Sequence, residues 1–436
     1  MERIDTLICA AHVVPVEPRG ALAAHAVAIK DGVIVALLPT AQALARFEAR
    51  KVVRLERHVL MPGLVNLHCH AAMSLMRGIA DDVPLMTWLR EHVWPVEAKH
   101  ANDEFVHDGS LLAMAEMIRG GTTCVNDMYF FPEATARAAL RMGMRASIGM
   151  IAIEFPSAYA PDAAGYLQKG IACRNEYHGE NLLSFCLAPH APYTVGDEML
   201  KRIAVLADEI DVPIHCHVHE TRDEIAQGLA KDGVRPFERL RRLGVVGPRL
   251  IAVHSVHLEE VELDVMAREG VSVAHCPSSN LKLASGIAPV AAMRSRGIRV
   301  GVGTDGAASN NRLDLMLEAR TAALLAKAQS RNAAVIPAAE AIEMATIEPA
   351  RALGLDGRIG SIAQGKSADL IAVELSSPET LPCYDPVSHL VYAAGREHVT
   401  HAWIDGRARL DGRKLVDIDE RALEDKARWW HKRLTA

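Results

Sequence analysis

Nowhere in the 436 residues do about 18 apolar positions run uninterrupted, the length a membrane-spanning helix requires. The start, MERIDTLICAAHVV, places acidic residues before any apolar stretch, so neither a signal peptide nor a membrane span is expected, and a cytoplasmic location follows as the default. Paired cysteines are also missing. Cys9, Cys69, Cys124, Cys173, Cys186, Cys216, Cys276 and Cys383 are scattered without a C-x-x-C, which excludes a cysteine-based zinc site and fits reduced, buried thiols instead of a disulfide framework. There is no run of Lys or Arg, and the net charge is −6, so the phosphate-neutralising footprint of a nucleic-acid binder is absent. Aromatic rings are few, at 7 Phe, 7 Tyr and 5 Trp. Against them stand 20 His, the residue most used for metal ligation and proton transfer.

What is present is ordinary globular composition, 50% hydrophobic and 23% charged. The length suits one α/β barrel of about 250 residues with an accessory domain as well as it suits three consecutive domains. Residues 1–57 read as short strands with a turn at Asp31-Gly32, and the tail from 363 reads the same way, with turns at Asp405-Gly406 and Asp411-Gly412. Neither piece makes a comfortable core alone. We therefore expect them to pair into one small β-sandwich built from both termini, residues 1–57 and 363–436, carrying a C-terminal helix over DERALEDKARWWHKRL that packs on the outside.

Between the two pieces, residues 58–362 alternate strand-like runs with longer helical patterns. The runs are HVLMPGLVNLHCH, TTCVNDMYF, MRASIGMIAI, LLSFCLAPHAPY, VPIHCHVHE, RLIAVHSVHL, VSVAHCPSSN and IRVGVGTDG. Eight such βα units predict a closed (β/α)8 barrel, whose chemistry gathers where strands end and βα loops begin. His68 and His70 close the first run, and residues two apart on a strand face the same side. An H-x-H pair is weak evidence by itself: 20 His in 436 positions produce roughly one by chance, and His215, His217 and His219 make two more. Position strengthens it. His190 ends the fourth run, His217 and Glu220 the fifth, His254 lies in the sixth and Asp305 ends the eighth, so ionisable groups collect at one end of the expected barrel.

The pattern PGLVNLHCHAAMSLMRG, PHAPY, HVHE, AVHSVHL and GTDGAASNN resembles the amidohydrolase superfamily in its metal-dependent aminohydrolase branch. LMRGIADDVPLMTWLREHVWPVEA, GGTTCVNDMYFF and CPSSNLKLASGIAPV are similar to the 5-methylthioadenosine/S-adenosylhomocysteine deaminases. The resemblance implies one divalent metal, Zn²⁺ with Fe²⁺ tolerated by the same donor set, held by His68, His70, His217 and Asp305. Relatives with two metals need a bridging lysine after strand four, and no Lys lies between Leu182 and Met199. By the same resemblance Glu220 shuttles protons, His254 orients or stabilises the attacking hydroxide beside Asp305, His190 hydrogen-bonds a purine, Trp88 and Glu97 meet a ribose, and Ser309 lies near the substrate tail. His219, His257 and His275 match no required role and are read as structural.

The implied reaction is hydrolytic deamination of an adenosine derivative, with a purine nucleoside as the partner and a homo-oligomer compatible with it. One departure concerns the loop after strand three: no Arg occurs from Ser147 to Gly170 to meet a charged amino-acid tail, which favours methylthioadenosine or another neutral derivative unless the tail is met elsewhere. A guanine or oxidised-purine deaminase, or an s-triazine hydrolase, of the same branch remains the alternative, and a non-catalytic scaffold a minor one. The cytidine-deaminase signature, H-x-E with P-C-x-x-C, is absent.

Overall fold

The computed structural model describes residues 1–435. Eight parallel strands, Leu64–Cys69, Thr122–Asp127, Arg145–Ala152, Leu183–Pro189, Ile214–Val218, Leu250–His254, Ser272–His275 and Arg299–Val302, follow one another around a sheet in chain order. Each of the eight runs picked out above contains one of them. Nearly every strand position is buried, as expected for a parallel sheet covered by helices on its outer face and filled by side chains inside. The ring closes at the mouth, where Asp305 N–H donates to His68 O at 3.0 Å and Gly303 lies against the backbone of His68. A Cβ on Gly303 would sit 2.8 Å from His68 N, so closure needs glycine there.

The two termini form one mixed sheet of eight strands. Its centre is the strand Phe47–Pro62, parallel to Glu2–Val13 on one side and antiparallel to Leu370–Glu374 on the other. The sheet folds back on itself. Edge residue Ile34 donates to Lys366 O, and Ala368 donates to Gly32 O, which brings the strand Val33–Pro39 against the residues leading into Leu370. Ile8, Val27, Ile29, Ile34, Leu60, Leu370 and Trp403 are enclosed between the two layers so made. The expected division at residue 57 falls inside the strand Phe47–Pro62, and only Gly63 separates that strand from the first barrel strand. The junction is tight because Gly63 packs on Thr123, whose side chain a Cβ would strike at 2.1 Å.

The C-terminal helix Glu420–Leu434 packs mainly on the barrel; the terminal sheet with which it was grouped meets its start, where Leu415 N–H donates to Glu420 at 3.2 Å. Trp430 decides this. It is fully buried, stands edge-on to Phe105 with ring centroids 5.2 Å apart, and donates its indole N–H to Asp108 at 2.8 Å, both partners lying on the barrel helix Asp103–Arg119. The paired termini and this helix both bear on the barrel, and a buried Arg145–Asp369 pair at 2.8 Å ties the third barrel strand to the terminal unit. All eight cysteines are free, seven of them buried. No helix among the described residues is long and apolar enough to cross a membrane.

Candidate active site

At the mouth of the barrel, the strand ends bring His68, His70, His217, His254 and Asp305 into one cluster. Donor atoms of His68, His217 and His254 lie within 4.8 Å of one another, as do those of His68, His70 and Asp305. Asp305 Oδ1 is 3.3 Å from Nε2 of both His68 and His70. The outward nitrogens are fixed by acceptors. His70 Nδ1 donates to Met128 O at 2.6 Å and His217 Nδ1 to His190 O at 2.7 Å. A carbonyl oxygen can only accept, so both rings carry the proton on Nδ1 and present an Nε2 lone pair to the centre. His68 Nε2 is buried without a hydrogen-bond partner. Buried polar atoms are ordinarily paired, and an orphaned imidazole nitrogen facing two more imidazoles and a carboxylate suits a divalent cation.

The electrostatics agree. Burial pushes His68 down to about 3 and His217 well below the usual histidine range, so both rings are neutral ligands at neutral pH. Burial alone would raise Asp305, but its contact with His68 and the imidazoles of His70 and His254 hold it well below the usual carboxylate range, as an anion. Asp305 takes a left-handed backbone, φ 59°, just beyond strand eight, and its carboxylate is anchored by Gly306 N–H at 2.8 Å on Oδ1 and by Ser279 Oγ at 2.6 Å on Oδ2.

Glu220 lies beside this cluster with Oε2 3.7 Å from His254 Nε2. It follows His219, whose φ is 53°, and the turn is held by Glu224: that carboxylate accepts His219 N–H at 3.0 Å and Glu220 N–H at 2.8 Å. Burial raises the carboxyl of Glu220. His254 has its Nδ1 bonded to Asn280 Oδ1 at 2.9 Å, which turns Nε2 inward.

An inner chamber of about 90 Å³ opens from the cluster, bounded by His70, His190, His217, Glu220, His254 and Asp305 on one side and by Trp88 and Glu97 on the other. Six of the chain's few aromatic rings line it: Trp88, Trp94, Tyr129, Phe130, Phe155 and Tyr193. Trp88 and Glu97 arrive on an irregular helical segment whose wide turn, Trp88–Val93, has i to i+5 bonding, a distortion frequent at functional sites. Glu97 accepts the hydroxyl of Tyr129 at 2.7 Å, and burial pushes it up to about 7. His190 is bonded through Nδ1 to Thr194 Oγ1 at 3.0 Å, leaving Nε2 for the chamber.

Ser309 is placed differently from expectation. It stands four residues after Asp305, one turn into the short helix Ala307–Asn310, so its hydroxyl folds back to donate to Asp305 Oδ2 at 3.0 Å and does not line the chamber. There it supports the carboxylate. The three histidines read as structural lie outside the chamber: His219 Nε2 accepts Phe237 N–H at 3.1 Å, His257 Nε2 donates to Ser285 O at 2.7 Å, and His275 is buried in the barrel. Tyr129, Asn280, Glu224 and His215 were not singled out from the sequence. Tyr129 left one sign, standing two residues past the end of the barrel strand Thr122–Asp127, and His215 left another, as a member of an H-x-H pair.

Residues 59–409 match the Amidohydrolase family. This chain belongs to that family. The amidohydrolase is 44% identical over 433 residues to the 5-methylthioadenosine/S-adenosylhomocysteine deaminase of Saccharophagus degradans, covering 99% of this chain and 97% of that one. It is 43% identical over 371 residues to the 5'-deoxyadenosine deaminase of Methanothermobacter thermautotrophicus, covering 85% and 86%. Among solved structures, an adenosine deaminase from Xanthomonas campestris with bound zinc superimposes with a TM-score of 0.98 at 50% identity, covering 100% of this amidohydrolase and 99% of the other chain.

Proposed function

We propose that this amidohydrolase removes the 6-amino group of an adenosine derivative, 5'-methylthioadenosine or S-adenosylhomocysteine, by hydrolysis, giving the inosine-type product and ammonia, with one Zn²⁺ as cofactor. The observation that carries the reading is the placement of Glu220: a buried carboxylate beside a His/His/His/Asp donor set, opening on an aromatic chamber that also holds Glu97. The names of the similar deaminases support the same chemistry.

His68, His70, His217 and Asp305 are the residues to hold the metal. When bound it supplies Lewis acidity, which lowers the pKa of a water from ~15.7 toward ~7. The rest belongs to side chains. Glu220, its carboxyl raised by burial, accepts a proton as water attacks C6 of the purine and delivers one to the ring nitrogen. A second transfer through Glu220 converts the amino group into a leaving ammonia, so that one water is consumed and one ammonia released. His254, its ring turned by Asn280, presents Nε2 to the attacking oxygen. His190 offers Nε2 to the purine, and Glu97 and Trp88 face the ribose.

The inner chamber shares Trp94, Glu97, Phe130, Phe155 and Tyr193 with an outer chamber of about 900 Å³ that is also lined by Arg90, Glu154 and Lys231. That gives a bulky 5'-substituent room, and places cationic groups outside the loop that lacks Arg. The test is a substrate panel read by ammonia release. Methylthioadenosine is expected to turn over; turnover of guanine or triazines alone would overturn the assignment to adenosine derivatives.

Glu97 adds a pH dependence. Burial raises its carboxyl to about 7, so it is protonated below that pH and becomes an acceptor for ribose hydroxyls above it. KM for a nucleoside should therefore fall as pH rises from about 6 to about 8, and Glu97→Gln should flatten the profile while leaving metal content unchanged. An unchanged profile in the variant would remove Glu97 from ribose binding.

A further inference from the structure

We propose that His215 is a positioning residue for the metal centre: its Nε2 accepts the Nδ1–H of His68, and this hydrogen bond fixes the tautomer and ring orientation that aim His68 Nε2 at the metal. The assignment rests on the metal reading given above.

His215 and His217 alternate onto the same, inner side of the strand Ile214–Val218, with His215 one step deeper in the barrel. Its ring meets His68 edge-on, centroids 4.9 Å apart at 78°, with Nε2 2.9 Å from His68 Nδ1. Neither ring is exposed. Of two facing imidazole nitrogens one must donate and the other accept. If His215 donated, the proton of neutral His68 would sit on Nε2, pointing at Asp305 Oδ1 and blocking ligation. A metal on His68 Nε2 therefore requires the proton on His68 Nδ1 and the lone pair on His215 Nε2. His215 must then carry its own proton on Nδ1, and that buried nitrogen has no partner.

An unpaired buried donor is costly, and a leucine there would remove it. The arrangement makes sense where the acceptor at Nε2 is needed. The other two ligand rings do not share this dependence: His70 and His217 are oriented by the main-chain carbonyls of Met128 and His190, which accept in any variant. Only His68 relies on a side chain for its tautomer. The H-x-H pair formed by His215 and His217 is thus one ligand and the support of another, not two ligands.

The experiment compares zinc-loaded native chain, His215→Leu and His215→Gln by competition with a graded series of chelators at neutral pH. Loss of a partner that orients a ligand histidine typically weakens metal binding by about 10- to 100-fold, and His215→Leu is expected to show this. His215→Gln returns an acceptor oxygen and is expected to hold zinc within about threefold of the native chain, the rescue that a purely space-filling role would not give. Native affinity in His215→Leu overturns the assignment, because no acceptor is then needed. Equal weakening in both variants overturns it too, because ring shape and not the acceptor would be at work. A native chain that takes up no zinc overturns the metal reading itself, and the role of His215 with it.

Discussion

Asp305→Ala is expected to abolish deamination and to leave the protein depleted of its metal. Asp305 is the one anion among the proposed ligands, and a single Oδ1 lies 3.3 Å from the Nε2 of both His68 and His70, so its removal takes away the neutralising charge and the atom that spans two rings. Without it the cation keeps only neutral donors and its charge is uncompensated in a buried site, so zinc affinity should fall. What survives is a general acid–base pair, Glu220 and His254, in a site without Lewis acidity. Such groups by themselves contribute about 10²- to 10⁴-fold, so kcat should drop below detection. Zinc content measured on the same preparation should fall with it. His70→Ala makes an independent arm, because it leaves Asp305 and its bonds to Gly306, Ser279 and Ser309 in place. Normal turnover by protein from which metal has been removed stoichiometrically would sink the mechanism.

Much of this site could be read from the chain because a parallel barrel converts one-dimensional order into position. Each apolar run holds one strand whose end lies within a few residues of the run's own, so His68, His190, His217, His254 and Asp305 had to share a rim once eight runs were counted. What a strand pattern does not carry is depth. Alternation by two puts His215 and His217 on one face without saying that one ring lies at the rim and the other beneath it, so His215 looked like background. Direction of return is also invisible. Ser309 is near Asp305 in sequence, but the short helix after the barrel strand turns its hydroxyl back onto the carboxylate and away from the chamber.

The chamber wall was legible only in part, for a different reason. Trp88 and Glu97 came from resemblance, since the wide turn Trp88–Val93, which begins at Trp88 and leads into the helix bearing Glu97, breaks the 3.6 period that a sequence pattern relies on. Tyr129, the partner of Glu97, sits in a run of aromatic residues that reads equally well as core. The termini illustrate the same limit at larger scale. Turn signals identified the strands on both sides of the barrel, but the helix at the end was assigned to them by proximity in sequence. The burial of Trp430 against Phe105 and Asp108 overrides that proximity.

Glu220→Gln separates proton transfer from metal binding. The substitution keeps shape and volume, and it leaves the main chain of the turn untouched, because Glu224 accepts the backbone N–H groups of His219 and Glu220, not the side chain. Glu220 is not among the proposed ligands, so zinc content and thermal stability should match the native protein. An amide, however, cannot take the proton released by the attacking water or return one to the purine and then to the departing ammonia. Because all of those transfers pass through one carboxylate, the loss in kcat belongs at the upper end of the range for general acid–base catalysis, about 10³- to 10⁴-fold, with KM little changed. His254 is a rival on geometry, with Nε2 3.7 Å from the Glu220 carboxylate. A defect of less than about tenfold in Glu220→Gln, paired with a large one in His254→Asn, would move the shuttle to the imidazole. The opposite ranking leaves His254 as the group that orients the attacking oxygen, a role its bond to Asn280 equips it to fill.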